Sequence, residues 1–169
     1  MKNINDYEYI SLVSDILDNK DFNKLSTIEH HGTNRLDHSI KVSCYSYLVA
    51  KKLNLKYKEV ARAGLLHDFF MSYEDRTSFE RFISTFTHPK YAWINASKLF
   101  DLNDREKNII RTHMFPINLA IPRYLESWLV SIVDKGVAFY EFYHSYSPIF
   151  RTAINYLYFF ILFSLYRAD

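Results

Sequence analysis

Apolar residues recur at helical spacing through most of the chain. Tyr9, Leu12, Val13, Ile16 and Leu17 fall at i, i+3, i+4, i+7 and i+8, so residues 5–20 predict a helix with one buried face. A polar stretch from His30 to Arg35 leads into a second helix from about Asp37, a predicted N-cap, with Ile40, Cys44, Tyr47, Leu48 and Leu53 as its apolar positions. Residues 57–69 predict a third helix that buries Val60, Ala63, Leu65 and Leu66. After a polar connection at 71–76, a short helix over 78–86 is expected to stop before His88-Pro89, because proline suits the first turn of a new helix, here 89–100. Asn103 and Glu106 predict a capping box ahead of a helix that runs to His113. Pro116 and Pro122 bracket a loop, Leu125–Phe142 forms a long helix with Trp128, Leu129, Ile132 and Val133 inside, and residues 149–166 form a last, very apolar one. The expected fold is all-α, a single domain over residues 1–169 with its core at about 28–143, built from about six to eight helices.

Composition narrows this further. The 3 Gly and 4 Pro compare with roughly 12 and 8 at average usage, too few for the dense turns of a sandwich or barrel. Aromatic residues at 18% and hydrophobic residues at 49% exclude disorder for most of the chain. The 21 basic and 19 acidic side chains leave a formal charge of +2, so no nucleic-acid partner is expected from bulk electrostatics, and any anionic ligand must be held locally. A single Cys44 excludes an internal disulfide and a cysteine-based zinc site, and fits a cytoplasmic location, as does the acidic, polar start MKNINDYEYISLVSD.

Several predicted helices carry polar residues that an apolar face does not explain. His38 lies in the first turn of the second helix, His67-Asp68 close the third within LLHDFF, His88 precedes a helix, His113 ends one, and Asp134 sits inside WLVSIVDKGVAF. A buried carboxylate is costly unless it is paired or holds a cation, and Lys135 points about 100° away from Asp134 around the helix. His67 and Asp68 diverge by the same angle, so both can hold one ion only in a crevice that other helices complete, with His38 and Asp134 as the completing residues. Two imidazoles and two carboxylates suit Fe, Mn, Zn or Mg rather than soft copper chemistry. With His88 and His113 there are enough ligands for two divalent metal ions, provided Asp68 bridges them.

These residues, in this order, resemble the HD-domain metal-dependent phosphohydrolases. The resemblance runs from about His31 to Tyr140 and is carried by Arg35-Leu36-Asp37-His38, Gly64-Leu65-Leu66-His67-Asp68, His88-Pro89, His113 and Asp134-Lys135. It implies one metal on His38, His67, Asp68 and Asp134. It also implies a second on His88 and His113, as in the dinuclear branch that includes the YqeK-type dinucleoside-polyphosphate hydrolases and the cyclic-dinucleotide phosphodiesterases. Met71 stands where many dinuclear members carry a lysine, and the GYP signature of the HD-GYP enzymes is absent. The implied reaction is hydrolysis of a phosphoester or phosphoanhydride of a small substrate, a nucleotide, by water activated between two ions about 3.5–4 Å apart. Asp68 is then catalytic as the bridge, and Arg35 and Lys135 are the first choices for cationic contacts to phosphate, ahead of Lys41 and Arg123.

Two other functions stay open: a mononuclear 5′-nucleotidase in which His88 and His113 are structural, and a non-catalytic HD-type module that binds a nucleotide or regulates a partner. His31, Glu74 and Asp75 are lesser site candidates. Gly64 and Gly136, both inside predicted helices, suggest close helix approach around the metals. Residues 152–166 are 15 uncharged positions between Arg151 and Arg167, a reach of about 22 Å against a hydrocarbon core of about 30 Å. A buried core helix is expected there. The alternatives are a membrane-surface contact, which would make the cytoplasmic protein peripheral to the membrane, and a dimer face; the sequence leaves the oligomeric state open.

Overall fold

A computed structural model describes residues 6–30, 32–71, 77–145 and 148–166. The expectations for His31, Glu74 and Asp75 lie outside these residues. In chain order the described elements are α1 (Tyr7–Leu17), α2 (Lys20–Asn23), a 3-10 turn (Lys24–Thr27), β1 (Glu29–His30), β2 (Thr33–Asn34), α3 (Arg35–Lys52), α4 (Tyr57–Leu66), α5 (Ser78–Leu99), α6 (Asp104–Thr112), α7 (Leu125–Ser145) and α8 (Pro148–Tyr166). The all-α expectation holds, with one addition: β1 and β2 pair antiparallel as a two-residue hairpin in the stretch expected to be a polar lead-in. Gly32 turns this hairpin at φ +82°, and a Cβ there would lie 2.3 Å from the Ser145 Cβ, so the turn packs tightly against the end of α7.

Helix α3 begins earlier than expected, because Asn34 and not Asp37 is its N-cap. The Asn34 side chain accepts from the Asp37 amide at 2.8 Å, and Asp37 stands in the first turn, where its charge meets the positive end of the helix. Of the apolar positions expected on the buried face of α3, Cys44 and Tyr47 are buried and Ile40 packs on the core, but Leu48 and Leu53 face solvent, and Ser39, Val42, Ser43, Ser46 and Ala50 turn inward instead. Small residues let α4 approach: Ser43 Oγ donates to the Ala61 carbonyl at 2.6 Å, and a Cβ on Gly64 would come within 3.0 Å of Ser43 Cα. Gly136, by contrast, has open space where its Cβ would be, so it is not a close-approach residue.

Helix α4 ends at Leu66, short of the expected residue 69, and its Lys56 cap has no capping side chain. The first turn is instead capped from α7, where the buried Glu126 carboxylate accepts from the Lys56 amide at 3.0 Å. The two helices expected at 78–86 and 89–100 are one, α5, with Pro89 inside it. An interior proline costs about 3 kcal/mol, and continuity is kept because His88, Ala92 and Ala96 all lie on the buried side. The capping box at Asn103 and Glu106 forms as expected. On α7, the expected Leu129 and Val133 pack against the core, but Trp128 and Ile132 face solvent, and Val130, Asp134 and Val137 face inward. Tyr9, Val13, Ile16, Phe22, Val42, Tyr47, Leu65, Leu66, Ile109 and Ile110 belong to the core that α1 to α7 enclose. None of the described α8 side chains is buried, so the expected core helix is not one.

Candidate metal centre

Three helices, α3, α5 and α7, and the turns that follow α4 and α6 bring His38, His67, Asp68, His88, His113 and Asp134 into one buried cluster. His67 and His113 arrive by the same device. Each follows the last residue of a short helix, α4 or α6, and donates Nδ1–H to the carbonyl three residues back, Gly64 or Ile110, at 2.8 Å in both cases. The last carbonyls of a helix have no intrahelical donor, so the imidazole satisfies one while its own tautomer is set. His88 does the same inside α5 with the Ser84 carbonyl at 3.0 Å. His38 donates Nδ1–H to Glu141 Oε2 at 2.7 Å.

All four rings therefore turn Nε2 toward a common interior. His38 Nε2 lies 3.0 Å from Asp134 Oδ1, and His67 Nε2 lies 3.4 Å from the same oxygen and 3.9 Å from Asp68 Oδ2. Asp68 Oδ1 is 3.2 Å from His88 Nε2 and 3.5 Å from His113 Nε2. The donors thus form three overlapping groups: His38, His67 and Asp68; His67, His113 and Asp134; and Asp68, His88 and His113. Asp68 is the carboxylate that belongs to two of them.

This geometry fits metal binding. His88 Nε2 and His113 Nε2 are 3.0 Å apart although both rings already use their Nδ1–H on carbonyls. Two lone pairs at that separation repel unless a proton or a cation is shared, and metal–nitrogen bonds of about 2.0–2.1 Å bring neighbouring ligand atoms to about this spacing. His67 Nε2 is likewise buried without a hydrogen-bond partner.

The charges are mutually dependent. Burial alone would push the Asp134 carboxyl up, but the hydrogen bond from His38 and the neighbouring His67 imidazole hold it well below the usual carboxylate range. Asp68 is likewise lowered, its burial outweighed by His67, His88 and His113. Burial works against a charge on His38, yet Asp134 and Glu141 raise its pKa to about 9. Burial pushes His113 down, which keeps its lone pair available.

Among the expected phosphate contacts, Lys135 donates to the His113 carbonyl at 2.8 Å, the Ser131 carbonyl at 3.1 Å and Ser131 Oγ at 2.8 Å. One of these bonds ties α7 to the turn that carries His113, the other two stay within α7, and a phosphate contact would have to displace one of the three. Arg35 is buried, donates Nη1–H to the Phe70 carbonyl at 2.7 Å and lies 3.9 Å over the Phe70 ring, which stacks in turn on His88. Lys41 is paired with Glu141 at 2.6 Å, and Arg123 is exposed. Glu141 was not anticipated from the sequence. It stands seven residues after Asp134, two turns along one face of α7, and that spacing is the signal that marks it. Metal-ligating histidines commonly give their second nitrogen to such a carboxylate, which fixes the ring.

Among known protein families, residues 35–137 match the HD domain. No curated protein and no solved structure matches the chain.

Proposed function

Because the chain belongs to the HD-domain family, whose members are in general metal-dependent phosphohydrolases, we propose that it hydrolyses a phosphoester or phosphoanhydride of a nucleotide at a dinuclear centre. The observation that carries this proposal is the position of Asp68, whose two oxygens face the His67 and the His88–His113 sides of one buried cluster. His38, His67 and Asp134 would hold one divalent ion, His88 and His113 a second, with Asp68 between them. Bound there, such ions (Fe, Mn, Zn or Mg) supply Lewis-acid charge for the phosphate and an acidified water near neutral pH. The chain's own part is to hold lone pairs in place. Glu141 and the carbonyls of Gly64, Ser84 and Ile110 keep four Nε2 atoms aimed inward, so little reorganisation is needed when charge develops on the substrate. Arg35, which stacks on Phe70 beside His88, is the first of the two proposed phosphate contacts, and Lys135 positions His113.

Elemental analysis of protein purified without added metal, with a hydrolysis panel run beside Asp68→Ala, tests this. The expected result is close to two transition-metal ions per chain and metal-dependent turnover of a dinucleoside polyphosphate or cyclic dinucleotide. One ion with turnover confined to nucleoside monophosphates would assign a mononuclear 5′-nucleotidase instead. Metal without turnover on any substrate would assign a nucleotide-binding module.

A further inference from the structure

The core closes without α8, yet α8 is the most apolar helix of the chain. Tyr156, Leu157, Tyr158 and Phe159 are 74%, 59%, 63% and 74% exposed. Four consecutive residues at about 100° per step point to every side of a helix, so this surface has no wet face and no dry face. Ala153 and Asn155 are exposed as well, Ile154 between them is half-buried, and no charge interrupts residues 152–166.

The shape of that surface selects what covers it. A protein partner or a second copy of the chain lays one face against a helix and leaves the opposite side in water, which suits an apolar stripe. An apolar phase that wets all sides suits an all-round apolar helix. The uncharged stretch reaches about 22 Å, less than the ~30 Å of a hydrocarbon core, and among the described residues no helix is long and apolar enough to cross a membrane. Near the start of α8 the one amide, Asn155, accepts from the Tyr143 hydroxyl at 3.0 Å, so it is tied to α7 and does not enter an apolar phase bare.

We propose that α8 inserts into one leaflet of a lipid bilayer without crossing it and holds the metal-binding domain at the membrane surface. The tyrosines of α8 suit the level where apolar chains meet headgroups. Charge stops at Arg151 and resumes at Arg167, so anionic lipid is favoured over neutral lipid.

Flotation of the purified full chain with vesicles tests this, using phosphatidylcholine alone and phosphatidylcholine with a third replaced by phosphatidylglycerol. The chain is expected to float with both, more strongly with the anionic mixture, and Tyr158→Trp should show a blue-shifted emission quenched by lipids brominated along the acyl chain. Leu157→Glu with Phe159→Glu should lower partitioning roughly a hundredfold or more, while unchanged metal content shows that the domain is still folded. A full chain that stays out of both vesicle fractions would overturn the proposal. So would a lipid-free dimer that these substitutions convert to monomer while vesicles capture neither form.

Discussion

Two consecutive helices of this protein treat hydropathy in opposite ways. Helix α7 turns Glu126, Ser127, Ser131, Asp134 and Glu141 inward and leaves Leu125, Ile132 and Phe139 in solvent, whereas α8 carries no charge over most of its length and buries none of its described side chains. In α7 each buried polar group has a partner that a leucine could not replace: Glu126 caps α4, Ser131 donates to the His113 carbonyl, and Asp134 and Glu141 engage His38. In α8 none of the described apolar side chains is buried against the domain. Along α7, burial follows satisfied polar geometry before it follows hydrophobicity.

The contrast breaks most severely at Asp68. Asp68→Ala removes the carboxylate shared by two of the donor groups, and a loss of several kcal/mol of charge stabilisation corresponds to at least about a thousandfold in turnover, with reduced metal per chain by elemental analysis. Removing metal from the native chain with a chelator should lower the melting temperature by about 5–10 °C, since a ligand at a hundredfold its Kd contributes about 2.7 kcal/mol in a chain of this size. Calorimetry before and after adding Mn²⁺ checks it. Glu141→Ala should weaken metal affinity about 10–100-fold, and Glu141→Gln less, because the amide oxygen still accepts from His38. Competition with a chromogenic chelator reads both. Gly64→Ala, with Ser43 Cα 3.0 Å from the new methyl, should cost about 1–3 kcal/mol. Gly136→Ala, with nothing within 4 Å, should gain about 0.5–1 kcal/mol. Denaturant melts separate the two. Smallest of all, Phe159→Ser on the exposed α8 should leave the unfolding free energy within about 0.5 kcal/mol; a larger loss would mean that α8 packs on the domain in solution.

Much of the fold is legible in local chemistry. The α1 stripe of Tyr9, Val13 and Ile16 and the Asn103–Glu106 capping box need only neighbours a few residues away, and both form. Where local cues fail, a distant partner has overridden them. Pro89 punctuates a sequence but not α5, because His88, Ala92 and Ala96 must share one buried face. Leu48 and Leu53 look like core and are not, because the face of α3 that meets α4 needs small residues, down to Ser43 against Gly64. The two-residue hairpin carries no strand pattern at all, and its turn is held by Ser145, more than a hundred positions away.

The candidate site divides in the same manner. Its six donor residues stand out in the sequence because polar groups amid apolar helices need a reason, and that reason is chemical and local. Which nitrogen each histidine presents, which oxygens of Asp68 face which histidines, and the use of Glu141 and Lys135 to hold the site were decided by tertiary structure alone. These depend on distances between helices far apart in sequence, and a side chain's hydrogen bonds are set by what other segments bring to it. Sequence determined that residues 152–166 are uncharged; that the described side chains among them lie outside the core is a fact of packing, since the core is built from α1 to α7.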